Sequence, residues 1–171
     1  MPLTKFSDFG AIGTPARGFM WKVSMTPPVG NGAMLTYRAR RVSIPKREFA
    51  PIIDPFMALE ITDTGAPTYE HDCTIMFTEN NNGDISGLIE AWLNLSYDPV
   101  NGTAQPKANR VTNVDLFLYA SSGDKVLRHY QLVGAQPRNN TSGTDLAYED
   151  KGAKVEFPVT FLFDYYVALA A

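Results

Sequence analysis

The chain has 171 residues, of which 44% are hydrophobic and 19% charged, with 15 basic residues against 18 acidic ones and a single cysteine. That length suits one domain able to bury a core without staples, and the composition excludes a disordered charged chain. The net charge of −3 argues against gripping duplex phosphates as the main task, and the lone Cys73 excludes an intramolecular disulfide and a cysteine-based zinc site.

Nearly a third of the residues are Thr, Val, Ile, Phe, Tyr or Trp, which points to strands. Residues 1–17 mix Gly, Pro and small side chains around Phe6, Phe9 and Ile12 and read as an irregular arm on a single domain spanning 1–171. Residues 1–10 carry one lysine and no apolar run, unlike a secretory leader, and no stretch approaches the ~18 apolar residues of a membrane span. Folding in a reducing cytoplasm is the expectation. Residues 19–25 alternate as a strand, with Phe19, Trp21, Val23 and Met25 on one face. Pro27-Pro28-Val29-Gly30-Asn31-Gly32 reads as a turn into a second strand over 34–44, paired with the first as a hairpin.

Residues 45–56 hold three prolines, which argue against a regular helix or central strand, yet Phe49, Ile52, Ile53 and Phe56 are large and apolar. A long loop of that kind either folds back over the core or meets another protein. A short strand over 57–62, a turn at 64–67 and an alternating strand over 69–78 follow. Asn80-Asn81-Asn82-Gly83-Asp84 then supplies helix-capping side chains. The one good helix covers 85–95, with a stripe of Ile85, Leu88, Ile89, Trp92 and Leu93 at helical spacing. A polar linker runs to Arg110. Strands are predicted over 114–120 and 125–135, a polar excursion over 137–148, and one long strand over 155–167 with Pro158 at an edge or bulge. The expected fold is mainly β: an antiparallel sandwich or barrel with one flanking amphipathic helix.

Little in the sequence marks chemistry. His71 and Cys73 share a strand face, where a buried inert thiol outweighs a nucleophile pair. His129 beside Arg128 reads as solvated or at an interface. Glu60 with Asp63, Glu70 with Asp72, and Glu149 with Asp150 are carboxylate pairs. Glu70 and Asp72 lie on the polar face of a half-buried strand, which a solvated surface explains better than a hydrolytic cleft. No phosphate loop or nucleophile elbow occurs. Arg38, Arg40, Arg41, Lys46 and Arg47 form a basic run split over two strand faces, which suits a subunit contact better than a nucleic-acid patch.

Four segments in order carry a resemblance. They are Val42-Ser-Ile-Pro45 with the proline-broken segment after it, and Cys73-Thr-Ile-Met-Phe-Thr-Glu-Asn80 followed by the helix with Trp92. Then come Arg128-His-Tyr-Gln-Leu-Val-Gly-Ala-Gln-Pro137 and the closing strand Val155-Glu-Phe-Pro-Val-Thr-Phe-Leu-Phe-Asp-Tyr-Tyr166. Together the chain resembles the tail tube proteins of contractile-tailed bacteriophages, a design shared with the tubes of type VI secretion systems and contractile bacteriocins. The resemblance implies a structural virion protein without enzymatic activity, cofactor or metal. It implies rings of six copies whose inner strands join one β-barrel, stacked head to tail inside a sheath. Other implied partners are baseplate and tail terminator proteins, with genome DNA passing through the lumen without specific binding and no membrane. The implied location is the virion tail, assembled in the host cytoplasm.

On that frame Lys46, Arg47, Phe49, Ile52, Ile53 and Phe56 are the expected inter-ring contact. Glu70, Asp72, Thr74, Glu156, Thr160 and Asp164 are the candidate lumen-facing residues, and Ile85, Leu88, Ile89 and Trp92 the helix stripe on the core. The rival readings are a bacteriocin or secretion tube, a monomeric β-barrel carrying a small apolar ligand, and a hydrolase using Glu70, Asp72 or Asp164.

Overall fold

A computed structural model of the chain describes residues 18–56, 59–140 and 154–169. In chain order the elements are β1 (Trp21–Met25), α1 (Gly32–Arg38), β2 (Ala39–Val42), β3 (Arg47–Phe56), β4 (Leu59–Tyr69), β5 (Asp72–Thr78) and α2 (Asp84–Ser96). They continue as α3 (Lys107–Arg110), β6 (Thr112–Tyr119), β7 (Val126–Pro137), β8 (Glu156–Leu162) and β9 (Tyr165–Leu169). All strand pairs are antiparallel. Most of them lie on the path β1-β6-β7-β8-β5-β2, with β9 also on β7, while β3 and β4 form a separate ribbon.

Strand alternation places one side of each layer on a shared core. Val23, Val114, Leu116 and Leu132 come from β1, β6 and β7, and Ile75, Phe77, Val159 and Phe161 from β5 and β8. The path bends at Gly134, whose φ of 69° is open to glycine, where the register of β7 on β6 slips between Thr112 and Val114. Before the bend β7 pairs with β9, and after it Gln136 and Pro137 pair with β8. One bulged strand thus joins the two layers at a corner.

The helical stripe closes the core. Ile85, Ile89 and Trp92 are fully buried, and Leu88 and Leu93 pack partly buried beside them. Trp92 packs on Phe161 with ring centroids 5.7 Å apart, and its Nε1 donates to the Arg110 carbonyl at 2.6 Å. Truncating such an aromatic to alanine costs about 3–5 kcal/mol. The helix start is capped from upstream, because Gly83 has no side chain to offer. Glu79 accepts from the amides of Ile85 and Ser86 at 3.1 and 2.9 Å, and Asn80 Oδ1 accepts from the Asp84 amide at 2.9 Å. These bonds satisfy amides that have no partner inside the helix.

Several expectations are corrected. The strand expected over 34–44 is a helix, α1, followed by the short β2. Asn31 Oδ1 accepts from the Ala33 amide at 3.0 Å and starts the helix, and Leu35 buries itself completely. Consequently β1 pairs with β6 and β2 with β5, not with each other. The segment expected as a loop over 45–56 is strand β3, and the turn expected at 64–67 lies inside β4. Both strands of an isolated ribbon are edges, so a proline can point its missing donor to water, and a register shift between Phe49 and Pro51 absorbs the rest. The expected strand over 155–167 is broken at Phe163 and Asp164. The Phe163 amide donates to His71 O beside β5, and the Asp164 amide to Val133 O on β7, so the chain changes layers between them. The linker before Arg110 contains α3. The excursion expected over 137–148 lies largely outside the described residues.

Burial pushes the Glu79 carboxyl up, but hydrogen bonds from Ser86 and from the Asn80 and Ile85 amides outweigh it and hold the carboxyl below its ordinary value. A depressed carboxylate stabilises the fold above its unfolded pKa of about 4.3, and that contribution is lost as pH falls through the folded value. Glu79→Gln is therefore expected to lower stability by about 1 kcal/mol at neutral pH. In urea melts its deficit relative to the wild type should shrink as the pH is taken below 4. A deficit that stays constant with pH would show that the carboxylate charge plays no part in the cap.

Candidate assembly interface

Strands β3 and β4 pair from Arg47 with Tyr69 to Phe56 with Leu59, giving a ribbon about 30 Å long for its ten-residue strand. They pack on each other and on no other element to a comparable extent. The ribbon root is held by the Lys46 amide on Glu70 Oε2 at 3.4 Å and the Glu70 amide on Lys46 O at 3.3 Å. Lys46 pairs with Glu48 at 2.6 Å in solvent, and the Arg47 guanidinium lies 5.4 Å from the Phe49 ring centroid.

Phe49, Ile52, Ile53, Leu59 and Ile61 are between 48% and 73% exposed. By the pairing, Ile52, Asp54, Leu59, Ile61 and Asp63 share one face of the ribbon, and Ile53 the other with Thr62. The side chain of Phe56 lies outside what the structure describes. A two-stranded ribbon alone is marginal in water, and apolar side chains on both its faces mark a contact surface.

Strand margins are the second feature. Among the described residues β1, β2 and β9 each pair on one side only. The margin of β8 is treated differently. Asn139 accepts from the Thr160 amide at 2.7 Å and donates to Pro158 O at 3.0 Å, while the Arg138 amide donates to Thr160 O at 2.7 Å. Pro158, which has no N–H, sits on that margin, as its place in a strand requires.

Of the six residues expected to face a lumen, four share the outer face of β5 and β8. Thr74 and Thr160 are hydrogen-bonded at 3.1 Å, and Asp72 and Glu156 lie at opposite ends of the same pairing. Arg138 is 3.7 Å from Asp72, an exposed pair of small energetic weight. Glu70 stands instead at the ribbon root. Asp164 stands at the layer change, where it accepts from Lys107 at 2.5 Å.

Glu149 and Asp150 lie outside the described residues, and the other residues weighed for catalysis are not brought together into one site. Cys73 is buried, its Sγ donating to Ser43 O at 3.1 Å, and burial pushes its thiol up to about 12. His71 Nδ1 lies 3.2 Å from Phe163 O. Glu70, Asp72 and Asp164 each answer a different cation or amide and line no common cleft. Among the described residues no three His, Cys, Asp or Glu side chains group as a metal site would. Between the layers Phe77, Trp92 and Phe161 are fully buried.

Sequence reading missed one polar cluster. His129 Nε2 lies 2.8 Å from Asp115 Oδ1, Gln131 Nε2 donates to the same oxygen at 3.0 Å, and Phe117 stacks on the imidazole with centroids 4.3 Å apart. Only the β6–β7 register brings these residues together, pairing Asp115 with Gln131 and Phe117 with His129. In the β1–β6 pairing Ser24 lies opposite Asp115 and Lys22 opposite Phe117.

No family model matches the sequence, and no curated protein matches it. The fold is found in solved chains of contractile particles. One belongs to the sheath–tube complex of an extracellular contractile injection system, PVC, in the extended state, at 14% identity over 99% of this chain and 100% of that one, with a TM-score of 0.62. Another belongs to the six-fold symmetrised baseplate of the anti-feeding prophage, at 12% identity over 92% and 97%, with a TM-score of 0.67. A third belongs to the tube-terminating cap of the anti-feeding prophage, at 13% identity over 93% of each chain, with a TM-score of 0.62.

A thiol held near 12 is protonated at physiological pH and unavailable as a nucleophile. Cys73 is expected to resist iodoacetamide at pH 8 in the native protein and to react at once in guanidinium. Rapid alkylation of the native chain would contradict the inert assignment.

Proposed function

We propose that the chain is the tube subunit of a contractile particle. Six copies close into a ring, rings stack head to tail, and a sheath surrounds the tube between a baseplate and a terminator. The observation that carries this reading is the likeness in fold over nearly the full length of both chains to a chain of a sheath–tube complex. The margins of β1, β2 and β9, unpaired among the described residues, support it, because further copies give such margins a partner. So does the ribbon, whose Phe49, Ile52 and Ile53 pack onto the next ring beside Lys46 and Arg47.

In this reading the outer face of β5 and β8 lines the channel with Asp72, Thr74, Glu156 and Thr160. Asp72 and Glu156 repel phosphates, and Arg138 beside this face stands by the Asp72 carboxylate, so nucleic acid passes without sticking. The particle is a phage tail conducting a genome, and an injection machine or bacteriocin is the alternative within the same design. The role is structural, with no reaction to catalyse.

Electron microscopy of the purified chain tests the proposal. Rings or hollow tubes are expected, and a monomer at all concentrations would contradict it. Phe49→Asp and Ile53→Asp are each expected to leave rings intact and to abolish stacking, because a charge would be buried at the contact between rings. Normal tubes from both variants would remove the ribbon from that contact.

A further inference from the structure

A groove of about 350 Å³ opens at the mouth of the sandwich, lined by residues of β1, β2 and β6. Trp21, Leu116 and Leu118 line it from one layer, and Val42 and Ile44 from the other side. Lys22, Arg40 and Arg41 also border it. Among the described residues no carboxylate pairs with these three cations, and Arg40 Nε donates only to the Thr78 hydroxyl, at 3.2 Å.

The ribbon carries the complement. One of its faces holds Ile52, Leu59 and Ile61 together with Asp54 and Asp63. Over residues 49–68 the charges are Asp54, Glu60 and Asp63, with no Lys or Arg. Within one chain the two surfaces do not meet, since the ribbon packs on itself and Ile52, Leu59 and Ile61 stay exposed.

Resting on the reading of the ribbon as a contact between copies, we infer that the ribbon of one copy seats in this groove of a second copy. Ile52, Leu59 and Ile61 cover the apolar lining, and Asp54 and Asp63 meet Lys22 and Arg41. The apolar area removed from water supplies the attraction, and the opposite charges set the register and reject misaligned docking. Groove and ribbon are different patches, so the contact is heterologous, the kind that an open stack of copies can repeat. The competing occupant is the arm 1–17, which carries Phe6, Phe9 and Ile12. Its charged residues are Lys5, Asp8 and Arg17, a basic excess that the cationic rim disfavours.

Charge reversal tests the pairing. The pair Lys22→Glu with Arg41→Glu is expected to abolish tubes in the full-length chain, and so is the pair Asp54→Lys with Asp63→Lys. All four changes in one chain are expected to restore tubes, which misfolding cannot do. A four-fold variant that keeps the wild-type melting temperature but forms no tubes would overturn the groove assignment. Cysteine pairing gives a second reading, since Cys73 is buried and does not compete. Ile44→Cys and Ile61→Cys proteins, mixed and mildly oxidised, are expected to yield a disulfide dimer of the two different chains. An intrachain bond in a Phe9→Cys, Ile44→Cys protein, with Ile61→Cys left unlinked, would assign the groove to the arm and overturn the inference. If the unaltered chain forms tubes but these results fail, only the groove assignment falls. If the unaltered chain forms neither rings nor tubes, the tube reading falls first and the inference with it.

Discussion

A ribbon of two strands that no other described element backs is the constraint around which the rest of this molecule is arranged. Its pairing supplies backbone hydrogen bonds between β3 and β4, but it buries almost none of its apolar side chains. Such an element does not hold its shape in water on its own, so its ordered form depends on a surface that covers it. The unpaired rows of β1, β2 and β9 pose the same problem in backbone form. The tube proposal answers both with one thing, contact between copies.

The sandwich supplies the rigidity that such contacts need. Trp92 is pinned between Phe161 and the Arg110 carbonyl, and the start of α2 is fixed by Glu79 and Asn80. The contrast between margins is informative. At β8 the chain spends Asn139 on the free groups of Pro158 and Thr160, so it has the means to cover an edge. Among the described residues nothing covers the margins of β1, β2 and β9 in this way. An edge left open in a chain that covers another is better explained by a partner than by neglect.

Much of this was legible from periodicity. The stripe from Ile85 to Leu93 needs only helical spacing, and β5, β6, β7 and β8 follow from alternation. Helix α1 was not legible, because only Leu35 among its longer side chains is fully buried and one buried position defines no period. The Asn31 cap looked like a hairpin turn because the same residue serves both. Pro51 and Pro55 of β3, with Pro45 just before it, misled because proline is barred from strands with two neighbours, and neighbour number is a tertiary fact. Alternation also ran unbroken through Phe163 and Asp164, where the hydrogen-bond partners change from His71 to Val133 and the chain bends. For the same reason Asp164 left the polar face on which its spacing placed it. Groove residues lie far apart along the chain, and no local pattern announces them.

Amide hydrogen exchange across residues 47–69, compared between dissociated chains and sedimented assemblies, tests the central claim most directly. The account predicts fast exchange in the free chain and strong protection in the assembly, with the sandwich strands protected in both. Equal protection of the ribbon in both states would mean that it is stable without a neighbour, and would contradict the account.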